Sequence, residues 1–374
     1  MPQSSPAQER IKVLWLIKGL GPGGAEQLLL LSAKVADHDA FDYRVAFIRP
    51  DKTHLIPEFQ ALGLHPTRLR SQHTGRLGWL ADLRSLLADV DVLHSHSPVL
   101  ASVARLLTLT LPPRKRPARV ATEHNEWTSH RLPTRLANGI TGLLDAHSWA
   151  VSEQVLATMW RVRRKRCEVL IHGIDTEHVV HTRARAEVRA ELGVPEAAVL
   201  SITVANLRRN KDYPNLLRAA KTSLAREPRL RFIAVGQGPL EAEIRALHAE
   251  LGLGDRFQLL GYRRDIPDLM AAADFFTLGS AHEGLPVAIM EAFAEGLPVV
   301  ATTVGGVPGQ VMHGKHGLLA PPHDDQALAE VLVQLASDDA DRAKMAAAAR
   351  VRAKDFDIRR AVTEQQRWYR SLTG

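Results

Sequence analysis

Two carboxylates, Glu283 and Glu291, stand at the edge of an apolar segment with seven residues between them. Pro286 suits the start of a helix, where a missing N–H costs no hydrogen bond, and Gly296 suits the left-handed residue that ends one. We therefore predict a short helix from Pro286 to Glu295, with Glu283 in the loop before it. Carboxylates accept hydrogen bonds from hydroxyl groups, so the chemistry of this pair is the recognition of a polar, hydroxyl-bearing ligand.

Glu291 is out of place in the predicted helix, because the neighbours Val287 to Met290 and Ala292 to Ala294 are all apolar. A buried carboxylate costs several kcal/mol unless something pairs with it. Two partners remain open at this point. One is an Arg that neutralises a core glutamate, and the other is a ligand with hydroxyl groups.

The start of the same helix offers donors as well as acceptors. The backbone N–H groups of Gly284, Leu285 and Val287 come before the first intrahelical hydrogen bonds. Groups in that position hold anions or sugar oxygens. The segment is thus suited to a ligand that carries both hydroxyl groups and negative charge.

Strand-like and helix-like segments alternate on both sides of this stretch. Ile11 to Ile17 and Val199 to Val204 are buried-strand runs, and Leu77 to Ala88 has a helical pattern. Such alternation predicts parallel, doubly wound sheets, whose ligands lie at the carboxyl ends of the strands. A chain of 374 residues exceeds one ordinary core, so we expect two domains.

The segment from Glu283 to Thr302 resembles the E-x7-E signature of the retaining, nucleotide-sugar-dependent glycosyltransferases of the GT-B architecture. This family includes glycogen synthase relatives and many bacterial lipopolysaccharide and exopolysaccharide enzymes. His172 stands where the family usually has Asn, and Gly309 where it often has Glu. Eight further motifs occur in the family's order and extend the resemblance through almost the whole chain: GPGGAE, HSH, AVSE, GID, VANLRRNKD, VGQGP, LGYRRDIPDL and GLLAPPHD.

The resemblance implies an α/β fold of the GT-B type, in which two Rossmann-like domains with doubly wound parallel sheets face a central cleft. Residues 1–180 would bind the acceptor, residues 181–354 the nucleotide sugar, and a C-terminal helix at 355–374 would pack back on the first domain. The implied enzyme is a retaining, metal-independent glycosyltransferase that acts on a glycan or lipid-linked acceptor in cell-surface polysaccharide or glycolipid synthesis. Its donor, such as a UDP- or GDP-sugar, is a substrate, and no cofactor is expected.

The resemblance also assigns donor contacts to particular residues. Glu283 would meet the transferred sugar, Glu291 the ribose and Lys211 the pyrophosphate. The family's Arg, five residues before Lys211, is replaced here by Asn, so Arg208 or Arg209 would supply the missing guanidinium fork. The other implied donor contacts are loop glycines, backbone amides and residues that flank the base: Gly23, Gly24, Gly236, Tyr262, Arg263, Gly284, Leu285 and Val287.

On the acceptor side the resemblance points to the ends of two strands in the first half of the chain. His96 matches the histidine that the family places near the reacting sugar, and we expect it to hydrogen-bond near C6 of that sugar. With Lys211 and Glu283 it completes the expected catalytic set. Glu123 and His124, which follow the next strand, are expected to contact the acceptor.

Composition and charge narrow the class of protein further. A net charge of +7 and a pI near 9.7 require an anionic partner such as a nucleotide, an acidic lipid surface or nucleic acid. The basic clusters lack interleaved stacking aromatics, so no nucleic-acid partner is expected. A single cysteine, no hydrophobic signal core and no apolar run of about 20 residues predict a cytoplasmic protein without a membrane span.

Three basic stretches bear on the acceptor. Arg114 to Arg119 and Arg161 to Arg166 are dense in positive charge, and Arg68 to Trp79 is basic and carries an aromatic residue. A solvated surface and a membrane-facing surface both remain open for them. We predict that the acceptor is lipid-linked and that the protein contacts the anionic inner face of a membrane peripherally.

Two other classes of enzyme remain as alternatives. A GT-B sugar-nucleotide epimerase or phosphorylase would bind similar ligands. An NAD-dependent oxidoreductase is more remote: Gly19, Gly21 and Gly24 fit the G-x-G-x-x-G spacing, but that motif also needs an acid at the end of the second strand, where the chain offers Arg49 and Asp51. No zinc quartet occurs, so no metal is expected.

Overall fold

The structure, a computed structural model, describes residues 9–70, 77–176 and 181–374. The chain forms two compact units, the first made of Met1–Gly173 with Ile358–Gly374 and the second of Ile174–Asp357. The predicted domain boundary, between residues 180 and 181, comes directly after residues 177–180, which lie outside the described residues. The basic stretch from Arg68 to Trp79 includes residues 71–76, which also lie outside them.

The first unit is built on a sheet of parallel strands in which the chain order reverses between two neighbours. The strands are β1 (Ile11–Leu16), β2 (Phe41–Phe47), β3 (Thr67–Arg68), β4 (Val92–Ser95), β5 (Ala118–Glu123), β6 (His147–Ala150) and β7 (Cys167–Val169). Their spatial order is β3-β2-β1-β4-β5-β6-β7, and every pairing is parallel. The helices are α1 (Gly24–Val35), α2 (Ile56–Ala61), α3 (Gly78–Leu87), α4 (Pro98–Leu109), α5 (Leu132–Thr141), α6 (Glu153–Thr158) and α7 (Arg161–Arg164). The order reverses between β1 and β4, where loops separate and leave room for a ligand.

The second unit repeats this design. Its strands are β8 (Val199–Val204), β9 (Leu230–Val235), β10 (Phe257–Gly261), β11 (Phe275–Leu278), β12 (Val299–Thr302) and β13 (Gly317–Ala320), in the parallel order β10-β9-β8-β11-β12-β13. Its helices are α8 (Arg185–Glu191), α9 (Tyr213–Arg226), α10 (Glu241–Glu250), α11 (Ile266–Ala272), α12 (Val287–Ala294), α13 (Val307–Gln310), α14 (Asp325–Ser337) and α15 (Asp339–Ala353). Here the order reverses between β8 and β11. The predicted pair of doubly wound parallel sheets is confirmed.

The last helix, α16 (Ile358–Thr373), belongs to the first unit. Its buried residues recur at helical spacing, so one face is available for packing: Ile358, Ala361, Val362, Gln365, Gln366 and Tyr369. Tyr369 packs edge-on against Phe41, and Gln366 donates a hydrogen bond of 2.9 Å to the Tyr43 hydroxyl. The helix thereby closes the core beneath β1 and β2.

Candidate active site

Lys211 and Glu283 meet at the point of the second unit where the strand order reverses. Lys211 follows β8 and Glu283 follows β11, which is the neighbour of β8 in the sheet. Lys211 Nζ lies 2.5 Å from Glu283 Oε1, and Ser280 Oγ donates a hydrogen bond of 2.5 Å to the same oxygen. The Glu283 side chain is 8% exposed and that of Lys211 19%. One position thus presents both a cation, suited to phosphate oxygens, and a carboxylate, suited to hydroxyl groups.

The loop that carries Glu283 is held by Asn210, which the sequence placed in the motif VANLRRNKD without assigning it a role. The Asn210 carbonyl accepts hydrogen bonds from the backbone N–H groups of Ala281, at 2.9 Å, and His282, at 3.2 Å. Its side-chain amide donates to the His282 carbonyl at 3.3 Å. Lys211 is therefore placed beside Glu283 by its own neighbour in the chain.

A second support for this loop is the glycine pair that follows β12. Gly305 has a φ of +49°, and a Cβ on it would collide with the Glu283 carbonyl oxygen. Gly306 N donates a hydrogen bond of 2.7 Å to the Gly284 carbonyl. Paired glycines signal close backbone approach, and that signal in the sequence would have found this contact.

The helix predicted from Pro286 to Glu295 is α12, and its first residue was placed wrongly. Pro286 precedes the helix as its N-cap, with an extended ψ of 112°. Proline fixes φ near a value that suits extended and helical backbone alike, so the sequence left ψ undecided. The predicted end is also one residue off, since Glu295 is the C-cap, and the expected left-handed glycine comes next, with Gly296 at a φ of +71°.

The N–H groups expected at the start of α12 are available. In the described ranges, the backbone nitrogens of Gly284, Leu285 and Val287 have no acceptor in the protein. Four N–H groups at a helix start normally lack intrahelical partners, and the helix dipole makes this end attractive to negative charge. The position therefore suits an oxygen of a phosphate or a sugar.

Glu291 lies within α12, partly buried and without a counter-ion. Among the described residues its carboxylate has neither a hydrogen-bond donor nor an ion-pair partner. Burial raises the pKa of Glu291 to about 7. The described part of the chain thus supplies no Arg for Glu291 to neutralise, and a hydroxyl-bearing ligand stays a prediction for its partner.

Two other candidates for the donor phosphates lie next to Lys211. Arg208 and Arg209 are exposed, and within the described ranges their guanidinium groups have no hydrogen-bond or ion-pair partner. Gly236, in the loop after β9, packs against the backbone of the loop after β8, because a Cβ on Gly236 would collide with the Ala205 carbonyl oxygen. The loop after β8 therefore presents free positive charge, and the loop after β9 approaches it backbone to backbone.

Tyr262 and Arg263, expected to flank the base, differ in their surroundings. The Tyr262 side chain is 52% exposed. Arg263 instead forms a forked ion pair with Asp265, with contacts of 2.8 and 2.6 Å, and donates to Glu191 at 2.9 Å. Those hydrogen bonds raise the pKa of the Arg263 guanidinium. Its side chain fastens β10 to α8, so only its backbone remains for a ligand.

In the first unit, Gly23 and Gly24 begin α1 after the loop that follows β1. Gly23 is the N-cap, with extended backbone, and Gly24 is the first helical residue. The dinucleotide alternative depended on an acid at the end of the second strand. Arg49 pairs with both oxygens of Asp51, at 2.7 and 2.5 Å, which occupies that carboxylate and weighs against the oxidoreductase.

Histidines cluster at the carboxyl ends of β4 and β5. His96 Nδ1 lies 3.1 Å from His124 Nε2, while His96 Nε2 is buried with no partner among the described residues. His94 is structural, because its two nitrogens bond the Tyr369 hydroxyl at 2.5 Å and Thr122 Oγ1 at 2.8 Å. Burial first, and then mutual repulsion, hold the pKa values of His94, His96 and His124 well below 6.5. These rings are neutral at pH 7, and His96 Nε2 is the atom left to meet a ligand.

The departure at His172 extends this cluster. Its ring centroid lies 5.9 Å from that of His124, and burial lowers the pKa of His172 to about 4. His172 Nδ1 bonds the Leu170 carbonyl at 3.1 Å, and its Nε2 accepts from the Gln365 amide of α16 at 3.0 Å. The histidine therefore ties the last helix to the end of the sheet.

The carboxylate of Glu123, at the end of β5, is held in place by a series of hydrogen-bonded, buried polar side chains. Asn138 donates to Glu123 Oε1 at 2.8 Å and accepts from Arg105 at 2.7 Å. Arg105 in turn forks onto Asp145, at 2.8 and 2.7 Å. Sequence analysis missed Asn138, Arg105 and Asp145. Together they fix the carboxylate of Glu123 at the strand end.

The acidic and histidine residues of the described ranges form no group that could hold a metal ion. The histidines near β4 are bound to hydroxyls, amides and one another. The positive charge of the second unit's site comes from Lys211, Arg208 and Arg209, in the loop after β8.

Comparison with known proteins agrees with this arrangement. A family model described as "Glycosyl transferases group 1" matches residues 184–352, and one described as "Glycosyltransferase Family 4" matches residues 22–178. The two matches fall in the second and first units and between them take in most of the chain. The topology defines the GT-B class of α/β enzymes, and the chain belongs to the glycosyltransferases that these models describe.

Individual relatives and solved structures are similar to this chain over different lengths. D-inositol 3-phosphate glycosyltransferase of Corynebacterium urealyticum is 34% identical over 220 residues, which are 56% of this chain and 52% of that protein. The amylovoran biosynthesis glycosyltransferase AmsK of Erwinia amylovora is 34% identical over 159 residues, 40% of this chain and 39% of that protein. The chain thus spans about half or less of these curated relatives. The crystal structure of Anabaena HepE with UDP and glucose has a TM-score of 0.86 at 23% identity, covering 97% of this chain and 100% of that one, and it shares the fold.

Proposed function

We propose that this protein is a retaining, metal-independent glycosyltransferase that moves a sugar from a nucleotide sugar to a glycan or lipid-linked acceptor in cell-surface polysaccharide or glycolipid synthesis. One observation carries the proposal: Glu291 is a partly buried carboxylate with no protein partner in the described ranges, in the same short segment as the Lys211–Glu283 pair. A nucleotide sugar supplies hydroxyl groups for Glu291 and phosphate charge for Lys211. The matching models describe glycosyltransferases, which favours sugar transfer over the epimerase or phosphorylase.

In this proposal the second unit binds the donor. Glu291 accepts hydrogen bonds from the ribose hydroxyls and Glu283 from those of the sugar. Lys211, with Arg208 or Arg209, holds the diphosphate, and the free N–H groups at the start of α12 receive oxygens of the ligand. Tyr262, exposed beyond β10, lies beside the base.

The first unit binds the acceptor in the same proposal. Its contacts are His96, through Nε2, together with His124 and Glu123. Gly24 offers its backbone N–H to the donor phosphates, whereas the N–H of Gly23 already donates to the Gly21 carbonyl at 2.9 Å, so Gly23 contributes the close approach of its backbone.

The chemistry is a substitution at the anomeric carbon of the sugar. The bond from that carbon to the diphosphate oxygen breaks, and a bond to the acceptor oxygen forms on the same face, so the configuration is retained. The proton of the acceptor hydroxyl passes to the departing diphosphate oxygen. The diphosphate gains negative charge as it leaves. Lys211 and the neighbouring arginines are preorganised donors for that charge, and they take the role that a metal ion plays in other transferases.

A melting-temperature screen tests the proposal. We expect UDP, GDP, ADP or dTDP, or one of their sugar conjugates, to raise the melting temperature of the whole chain, because a ligand at 100 times its Kd stabilises by about 2.7 kcal/mol. UDP is the first probe, since HepE was crystallised with UDP and glucose. NAD serves as the control. A shift with NAD and none with any nucleoside diphosphate would reverse the assignment.

We further propose that the enzyme works at the anionic, cytoplasmic face of a membrane. On α5, Leu132, Leu136 and Ile140 are 62%, 44% and 62% exposed and lie four residues apart, along one line of the helix. None of α4, α5 and α7 contains Asp or Glu. Arg166 donates to the Leu143 carbonyl, just beyond α5, at 3.4 Å. Exposed positive charge lies in that segment and directly before α5: Arg131, Arg161, Arg164, Lys165 and Arg166. No helix in the described ranges has the length and apolar content to cross a bilayer.

Vesicle sedimentation tests this surface. We expect the protein to sediment with phosphatidylglycerol vesicles at low salt and not with phosphatidylcholine vesicles, since each basic residue near an anionic surface adds about 1 kcal/mol. The double variant Leu132→Ser, Ile140→Ser should weaken that binding about a hundredfold, because each apolar side chain contributes about 1.5 kcal/mol on burial and about 1.4 kcal/mol is tenfold. Val351→Ser, at an equally exposed site in the second unit, is the control. A protein that ignores anionic vesicles at low salt would remove the membrane proposal and leave the transferase proposal intact.

A further inference from the structure

Two residues with unusual backbone geometry touch each other beside the donor site. Asp212 has a φ of +43° and His323 a φ of +60°; Arg70 is the other non-glycine residue with positive φ in the described ranges. His323 Nδ1 lies 2.7 Å from Asp212 Oδ2. Left-handed backbone is costly for residues with a side chain, and such residues concentrate at functional sites. Two of them joined by one hydrogen bond call for an explanation.

Asp212 stands in the turn that presents Lys211. Asn210 is fastened to the loop of Glu283 through its carbonyl, and Lys211 through its ammonium. Asp212 follows at once as the N-cap of α9. Its left-handed backbone ends the short 3-10 turn of Arg209–Lys211. The conformation of Asp212 therefore determines how the preceding Lys211 is oriented relative to the start of α9.

His323 contacts that turn through Asp212, and its side chain contributes little to packing elsewhere in the described part of the chain. It lies between β13 and α14, and its side chain is 66% exposed, so it fills no core position. The neighbouring Asp324 already caps α14 by accepting from Ala327 N at 2.9 Å. Among the described residues, the His323 ring contacts Asp212 as its polar partner.

We propose that His323 is a positioning residue for the donor diphosphate. By holding the Asp212 carboxylate, it keeps the turn at residues 209–212 in the conformation that places Lys211 at the diphosphate. The inference rests on the proposed function, because it assigns Lys211 to that group. The left-handed backbone of Asp212 and His323 is then strain that the fold retains because it fixes the position of Lys211.

Two substitutions separate this role from a merely structural one. His323→Gly removes the ring and suits the left-handed backbone, so the melting temperature should stay the same or rise. UDP binding, measured by titration calorimetry on the whole chain, should nevertheless weaken about tenfold. His323→Asn tolerates the same backbone and carries an amide nitrogen near the place of Nδ1, so it should bind UDP within about twofold of the unchanged protein.

A double-mutant cycle completes the test. If His323 acts through Lys211, the losses of UDP affinity in His323→Gly and Lys211→Ala should not add, and the double variant should bind about as weakly as Lys211→Ala alone. Additive losses would overturn the inference, as would a His323→Gly protein that melts lower but binds UDP normally. An unchanged protein that binds no nucleoside diphosphate at all would instead overturn the proposed function.

Discussion

Replacing Lys211 with alanine is expected to lower kcat by about 10²- to 10³-fold, the loss typical when one preorganised donor to a developing oxyanion is removed. In the proposed function the charge on the diphosphate grows as it leaves, so the lysine would stabilise the transition state more than the bound donor. Affinity for UDP should fall as well, by roughly tenfold to a hundredfold, since one hydrogen bond between charged groups contributes about 1.5 to 3 kcal/mol. Steady-state kinetics and titration calorimetry measure the two effects separately.

Stability has to be followed in the same variant, because Lys211 also faces the largely buried Glu283. Ser280 remains as a donor to Glu283 Oε1, so the domain should stay folded. Lys221→Ala, on the exposed side of α9, is the matched control: it removes the same charge away from Glu283 and should leave kcat unchanged. A Lys211→Ala protein with normal kcat and a lower melting temperature would reduce Lys211 to a counter-ion of Glu283.

Glu291→Gln should give the second large effect, a loss of donor affinity without a loss of stability. The substitution keeps the volume and removes the charge that we propose accepts from the ribose hydroxyls, so the nucleotide identified in the screen should bind about tenfold to a hundredfold more weakly. Because the carboxylate must ionise to accept best, affinity in the unchanged protein should rise as the pH increases through about 7. In Glu291→Gln that dependence should disappear.

The same carboxylate affects stability in the absence of donor. Burial raises the pKa of Glu291 from 4.5 to about 7, so the folded state holds a proton more tightly than the unfolded state does. Stability from this group is complete below pH 4.5 and is lost as the pH rises to about 7. Above pH 7, Glu291→Gln should therefore be more stable than the unchanged protein, by about 1 to 3 kcal/mol once partial exposure is allowed for.

Glu295→Gln is the matched control for this experiment, since Glu295 caps the other end of α12 and its carboxylate contacts His181 at 3.3 Å. It should not change donor affinity. All six tryptophans lie in the first unit, so calorimetry, and not tryptophan fluorescence, must follow the second unit. A Glu291→Gln protein that melts many degrees lower and yet binds every nucleotide normally would make Glu291 a structural residue.

The sequence by itself determined the architecture and the pair of glutamates. Alternation of continuous apolar strand runs with period-3.6 helical patterns is a local property of the chain, so it indicated the parallel, doubly wound sheets before any contact was known. The proline and glycine around α12 bounded that helix to within one residue for the same reason. The motif from Glu283 to Thr302 named both carboxylates and the class of ligand.

The tertiary structure alone decided which charges are satisfied. Lys211 and Glu283 are 72 residues apart, and Asp212 and His323 are 111 apart, so their contacts follow from strand order and close backbone approach, which no local pattern encodes. The same packing gave Arg263 two carboxylate partners and left Glu291 with none in the described ranges. Whether a charged residue is structural or free for a ligand depends on what the fold brings within about 4 Å of it, because ionic and hydrogen-bonded contacts act only at that range.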